Sequence, residues 1–412
     1  MTESRMVIIG SGEAGARAAV ELRTQGWSGP ITLIGEERLA PYERPPLSKR
    51  LLFTEEEPSP VFILDNEKLE EYDIDLLSGS SAVGIDRNNC TVQLDNGREI
   101  KYHRLLLATG ARARKLTLKG SETAKLFYLR TFSDALTLRE NLKPGHHIAI
   151  IGGGFIGLEA AASAIEKGCS VTLIEHGLRI LMRVVPKEIA DIVEARHLAA
   201  GVEFKFGVSI EKIDNNVDGQ TITLGDGTLV HCDSIIVGIG AIPETSLAAD
   251  CGLEIENGIR VDESLRTSDP YIFAAGDCCS FPHRLFDGRR IRVEAWRNAQ
   301  DQGIQAARNM LGFNEPFEVV PWFWSDQYDL TLYVTGLPIS GEKTVIRDLG
   351  DAGQLFFHFT EDGKLAAASG IGTTAISKEV RIAEMLIEKQ KILDFMLFER
   401  PDVKLKSLLK DR

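Results

Sequence analysis

One supersecondary unit is written twice in this chain, and that repetition limits what the chain can fold into more than any other feature. Met6-Val7-Ile8-Ile9 is a short apolar strand that runs into Gly10-Ser11-Gly12-Glu13-Ala14-Gly15, an Ala-rich helical stretch to Gln25, and a second strand, Ile31 to Ile34, followed by Gly35-Glu36. The pattern returns as His147 to Ile151, Gly152-Gly153-Gly154-Phe155-Ile156-Gly157, a helix to Lys167, and Val171 to Ile174 ending at Glu175. Each copy is strand, glycine turn, helix, strand and acid, the order a dinucleotide cradle requires. The first glycine allows the tight turn, the second lets backbone approach a pyrophosphate, and the third lets helix and strand pack closely. The helix N-terminus adds amide donors and a positive dipole.

Three more apolar runs end in small residues: Leu105-Leu106-Leu107-Ala108-Thr109-Gly110, Ile235-Ile236-Val237-Gly238-Ile239-Gly240, and Tyr271-Ile272-Phe273-Ala274-Ala275-Gly276-Asp277. Such runs fit strands buried on both faces of a parallel sheet. Hairpin signals at Asp95-Asn96-Gly97 and Gly225-Asp226-Gly227 place a small antiparallel excursion inside each unit. From about Phe317 aromatic and β-prone segments take over, followed by helical stretches. The expected fold is α/β: two Rossmann-like dinucleotide-binding domains plus a small α+β C-terminal domain. The expected boundaries are 1–113 with 245–322, then 114–244, then 323–412. Lys404 to Arg412 reads as a basic amphipathic helix end.

A net charge of −13 disfavours a general nucleic-acid binder, and no apolar run is long enough to span a bilayer. The N-terminus shows no signal-peptide pattern, so a cytoplasmic location is expected. Six cysteines in 412 residues suggest no disulfide framework, none forms a C-x-x-C pair, and no metal site is expected.

The acids choose the cofactors. Glu36 and Glu175 would each accept hydrogen bonds from adenosine ribose hydroxyls, and a carboxylate there repels a 2′-phosphate. The second unit should therefore prefer NADH to NADPH. The first should hold FAD, because one dinucleotide must be a flavin if the pair is to exchange a hydride.

At this point the sequence resembles the ferredoxin and rubredoxin reductases of oxygenase systems, over essentially its whole length, which implies a glutathione-reductase-like flavoprotein fold. The most specific stretch is Tyr42-Glu43-Arg44-Pro45-Pro46-Leu47-Ser48-Lys49. Others are Ala108-Thr109-Gly110, Leu129-Arg130-Thr131, Gly276-Asp277, Val293 to Ala299, and Pro321-Trp322-Phe323-Trp324-Ser325-Asp326. The resemblance implies that Gly10, Gly12, Ala14 and Gly15 form the FAD phosphate loop, with Glu36 on the adenosine ribose. Arg44, Lys49 and Arg130 would approach the flavin and its phosphates, and Ala82 the adenine side. Ala108, Thr109, Gly110, Gly276, Asp277, Glu294, Ala295, Trp296 and Trp324 complete the implied FAD contacts, Asp277 on the ribityl chain and Trp296 beside the isoalloxazine. For NADH it implies Gly152, Gly154, Phe155, Ile156, Gly157, Glu159, Glu175, Arg183, Ile239 and Gly240. Lys49, Glu159 and Trp296 would be catalytic, Glu159 lying near the nicotinamide and facing Lys49. Without the resemblance, Lys49 also reads as a surface lysine and Glu159 as an exposed helix-face acid.

No redox cysteine follows the first glycine loop: the first thiol is Cys90, and Cys278-Cys279 come too late and read as packing residues. Electrons must then leave the flavin directly, which suits a [2Fe–2S] ferredoxin (or rubredoxin) serving a Rieske oxygenase or cytochrome P450. Arg284, Arg289, Arg290, Arg292 and Arg297 could dock such an acidic carrier, or could simply balance neighbouring charges. The competing expectations are a quinone or other small-molecule acceptor, and an NADH-sensing flavoprotein. A monomer or a homodimer is expected.

Overall fold

The computed structural model describes residues 4–182, 184–217, 219–338 and 341–410. The chain divides into two compact units. One comprises Met1–Glu43, Pro60–Arg112 and Ile242–Trp322, and the other Arg44–Ser59, Ala113–Ala241 and Phe323–Arg412.

The first unit is built on a five-stranded parallel sheet in the order Ile272–Ala274, Arg104–Leu107, Met6–Ile9, Ile31–Gly35, Ile74–Ser78. Met6–Ile9 and Ile31–Gly35 are buried along their whole length, as continuous apolar runs demand when both faces are covered. The strand order places consecutive elements Met6–Ile9 and Ile31–Gly35 side by side, with the helix Glu13–Thr24 as the crossover. A second helix, Trp296–Met310, lies against that helix so closely that a Cβ on Gly303 would stand 2.2 Å from the Ala14 carbonyl oxygen. The hairpin turn at Asn96-Gly97 joins Thr91–Leu94 to Glu99–Lys101 in a three-stranded antiparallel sheet.

The second unit repeats the plan with the order Val202–Phe206, Ser170–Glu175, His147–Ile151, Ser234–Val237, Leu126–Phe127, all parallel. Its own antiparallel excursion is Ile210–Asn216, Gly219–Leu224 and Leu229–Cys232. The helix Phe132–Asn141 starts where it does because Thr131 caps it: the Thr131 hydroxyl accepts from the Asp134 amide and the Asp134 carboxylate accepts from the Thr131 amide. Toward the C-terminus a five-stranded antiparallel sheet runs in the order Trp322–Gln327, Leu330–Gly336, Leu365–Gly372, Gly353–Phe359, Lys343–Asp348, and the helix Ser377–Glu388 packs on it. The expected basic helix near the C-terminus is instead a short 3-10 turn, Leu405–Leu409. Arg400-Pro401 ends the preceding helical segment, and five residues are too few to nucleate an α-helix without strong packing. Asp411 and Arg412 lie outside the described residues. Among the described residues no helix is long and apolar enough to cross a membrane.

Candidate functional site

In the first unit Gly10, Glu36, Ala108 and Gly276 follow the carboxyl ends of parallel strands, where open α/β sheets bind ligands. Gly10 has φ +108°, and a Cβ there would meet the Ala108 carbonyl oxygen at 2.1 Å, so the glycine turn and the Ala108-Thr109-Gly110 segment touch. On Gly15 a Cβ would fall 1.9 Å from the Gly10 carbonyl oxygen, while one on Gly12 would meet nothing within 4 Å. The first and third glycines are thus required by the protein's own packing. The second faces open space at the start of the helix, the place a pyrophosphate would occupy. Gly276 donates its amide to Gln302 Oε1 at 2.8 Å, and a Cβ on it would approach Ala14 Cβ at 3.1 Å. Thr109 Oγ1 donates to the Glu244 carbonyl at 2.6 Å. Ala295 is the N-cap of the helix that begins at Trp296, and Glu294 accepts from Arg292. Ala82 opens the strand Ala82–Asp86. Glu36 is exposed, and no hydrogen bond to it is formed among the described residues. Glu13, the first helical residue, is half-buried; desolvation pushes its carboxyl above the usual range, and its ion pair with Arg17 at 2.8 Å only partly opposes this. These residues fit a dinucleotide.

The second unit shows the same division of labour. A Cβ on Gly152 would sit 2.4 Å from the Gly238 carbonyl oxygen, and one on Gly157 would sit 2.1 Å from that of Gly152. One on Gly154 would meet nothing within 4 Å. Gly154 caps the helix Phe155–Glu166, Ile156 is exposed, and Ile239-Gly240 follows the strand Ser234–Val237. Glu175 is already engaged, accepting from the amides of Gly153 and Gly177 at 2.6 Å each. Two carboxylate lone-pair sites are left for ribose hydroxyls. Arg183 lies outside the described residues.

The register shows that the two acids are not equivalent. Ile9 pairs with Ile34 and Ile151 with Ile174, so Glu175 occupies the position of Gly35, and Glu36 that of His176. In the first unit the Gly35 position must stay bare, because a Cβ there would lie 2.1 Å from Ser11 Oγ.

Also in the second unit, Arg44 donates to the Arg130 carbonyl, and Arg44 caps the 3-10 turn Pro45–Ser48, whose prolines fix its φ angles. That turn presents Lys49. The Lys49 ammonium lies 2.8 Å from Asp326 Oδ2 and 3.8 Å from Glu159 Oε1, and 5.3 Å from the centre of the Trp324 ring. Glu159 is 7% exposed, not a helix-face acid in solvent. Its two oxygens accept from the hydroxyls of Ser48 and, at 2.6 Å, Ser325. Burial raises its pKa, while Lys49 and both serines pull it down. Asp326 also accepts from Trp324 Nε1 at 3.1 Å and Thr331 Oγ1 at 3.0 Å. Behind Ser325 the polar chain continues through Gln327 Nε2 at 3.1 Å to His197, whose Nε2 is 2.8 Å from Gln327 Oε1. Burial lowers the His197 pKa to about 4.

Ser48, Ser325 and Asp326 had no role assigned by sequence although they lie inside quoted motifs. Their partners are 111 to 277 residues away, beyond the reach of local spacing. Cys278 and Cys279 are free and fully buried, and burial pushes both thiols up, so they are inert rather than redox-active. Of the clustered arginines, Arg284 pairs with Glu318, Arg290 with Glu256, Arg292 with Glu294 and Arg297 with Asp301. The balancing reading of that cluster therefore fits four of its five charges.

Known proteins are similar to this chain over most of its length. The anthranilate 1,2-dioxygenase system ferredoxin–NAD(+) reductase component of Burkholderia cepacia is 37% identical, covering 99% of this chain and 100% of its own. The rubredoxin–NAD(+) reductase of Pseudomonas putida is 40% identical over 83% of this chain and 89% of its own. The crystal structure of the ferredoxin reductase for the CYP199A2 system from Rhodopseudomonas palustris superposes with a TM-score of 0.94 at 35% identity, covering 99% of this chain and 100% of that one. The reductase C-terminal family matches residues 322–409. With residues 4–303 matching the family described as pyridine nucleotide-disulphide oxidoreductase, the chain belongs to that family.

Proposed function

We propose that this protein is an FAD-containing, NADH-dependent ferredoxin reductase, feeding electrons one at a time to a [2Fe–2S] ferredoxin or to a rubredoxin of an oxygenase system. The observation that carries the reading is the pair of open glycine cradles in a chain whose six cysteines are all free and whose late pair is buried and inert. Bound FAD supplies the conversion between a two-electron hydride donor and a one-electron carrier. The chain's residues bind and orient. Residues 1–113 and 245–322 hold FAD through Gly10, Gly12, Ala14, Gly15, Glu36, Gly276 and Asp277, with Trp296 at the flavin ring. Residues 114–244 hold NADH through Gly152, Gly154, Gly157 and Glu175. Lys49 provides positive charge on the flavin side, and Glu159 lies on the nicotinamide side. Free thiols fit a cytoplasmic location.

The test is cytochrome c reduction by NADH with and without a [2Fe–2S] ferredoxin. Reduction that depends on the carrier is expected. NADH oxidation that is equally fast with dioxygen or a quinone alone would replace this reading with a small-molecule oxidoreductase.

A further inference from the structure

We propose that Asp326 is a positioning residue for Lys49, and that the working ion pair of Lys49 is with Asp326 rather than with Glu159. This deepens the reading above and rests on its placement of Lys49 toward the flavin. The two carboxylates around Lys49 are built differently. Asp326 is 2.8 Å from the ammonium, a charge-assisted hydrogen bond, whereas Glu159 is 3.8 Å away, beyond hydrogen-bond range. Glu159 already has a hydroxyl on each oxygen, from Ser48 and Ser325, and sits in a buried setting that disfavours its charge. Asp326 is 45% exposed, so the pair it forms with Lys49 carries little desolvation cost, and Thr331 fixes its other oxygen. The same Asp326 Oδ2 that holds Lys49 also holds Trp324 Nε1, so one carboxylate sets both the ammonium and the indole. Remove it, and Lys49 has Glu159 as its nearest remaining acid, a displacement that changes the field the lysine exerts.

The test is a double-mutant cycle on the holoenzyme, read as the equilibrium between oxidised and reduced flavin against a reference dye. Lys49→Gln is expected to shift that equilibrium toward oxidised flavin. Asp326→Asn, whose carbonyl oxygen can still accept from Trp324 while its amide donates to the Thr331 hydroxyl, is expected to couple to it. The part of its effect that vanishes in the Lys49→Gln background should be about tenfold, roughly 30 mV for a two-electron couple. Equal shifts from Asp326→Asn in both backgrounds would overturn the proposal and leave the Lys49 placement standing. An unmoved equilibrium in Lys49→Gln itself would overturn both. Should Asp326→Asn not retain flavin, Thr331→Val serves in its place: it removes the hydroxyl that orients Asp326 without changing charge. It should then couple to Lys49 by about threefold, and additive behaviour would again count against the proposal.

Discussion

The two βαβ units are the same design with one residue of phase between their acids. Both force their first and third glycines by backbone contact and leave the second facing open space. They differ in what stands behind the loop. In the first unit Ser11 fills the ground above Gly35, and Glu36 is exposed with no hydrogen-bond partner among the described residues. In the second the loop residue is Gly153, and the vacated space holds the Glu175 carboxylate, which ties the loop to the end of its strand through Gly153 and Gly177. The second cradle is thus preorganised by its own acid, and the first offers its acid entirely to the ligand. A cradle whose cofactor stays bound can be completed by that cofactor, whereas one that must release its dinucleotide each turnover gains from being set in advance.

The largest test of the comparison is steric. Gly10→Ala, Gly15→Ala, Gly152→Ala and Gly157→Ala each drive a Cβ to within 2.4 Å of a backbone oxygen. Each should cost ~3 kcal/mol or more, read as lost soluble protein or a large fall in Tm. Gly12→Ala and Gly154→Ala have negative φ and open surroundings, so apoprotein stability should change by less than about 1 kcal/mol. Dinucleotide affinity should nevertheless collapse, FAD content for the first and NADH binding for the second. If those two variants unfolded the protein instead, the division of roles among the glycines would be wrong.

Next in size is a pH effect whose two largest contributors lie in the second unit. Burial lowers the pKa of both His197 and His358 to about 4, well below the ~6.5 of an unfolded histidine. The native state therefore excludes two protons that the unfolded chain takes up. Stability from this source is complete above about pH 6.5 and is lost as pH falls toward 4, by ~3 kcal/mol for each histidine. His197→Gln should remove its own share, about half of what these two histidines contribute, from a Tm-against-pH series, and an unchanged slope would show that His197 titrates normally.

A smaller effect separates the acids themselves. Glu175→Ala breaks two charge-assisted bonds to the loop and should weaken NADH binding ~10- to 100-fold. Combined with His176→Arg, it should relax discrimination against NADPH. Glu36→Ala breaks no bond within the protein and should lower FAD affinity only several-fold, measured as flavin release on dilution. Equal losses at the two positions would erase the asymmetry. Smallest of all, thiol alkylation of the folded protein should leave ferredoxin reduction within twofold, because Cys278 and Cys279 are buried with raised pKa values.

Much of this was legible in the sequence because it is local. Strand, glycine turn, helix and hairpin signals act within about ten residues, and the buried strands Met6–Ile9 and His147–Ile151 stand where their apolar runs place them. What stayed hidden is set by register and by distant partners. That Glu175 aligns with Gly35 and not with the position of Glu36 follows from strand pairing, which counting from the glycines does not reveal. The bond from Lys49 to Asp326 spans 277 residues, so nothing in the spacing around Lys49 could have announced its second acid. Likewise, the burial of Glu159 depends on Ser48 and Ser325 arriving from separate stretches of chain.

The account's central claim is that NADH reduces a flavin whose electrons pass straight to an iron–sulfur carrier. It is tested most directly by anaerobic titration of the purified yellow protein. One equivalent of NADH should bleach the flavin absorbance, and two equivalents of oxidised [2Fe–2S] ferredoxin should restore it without thiol participation. Colourless protein, a flavin that NADH leaves oxidised, or a reduced flavin that no iron–sulfur carrier reoxidises would contradict it.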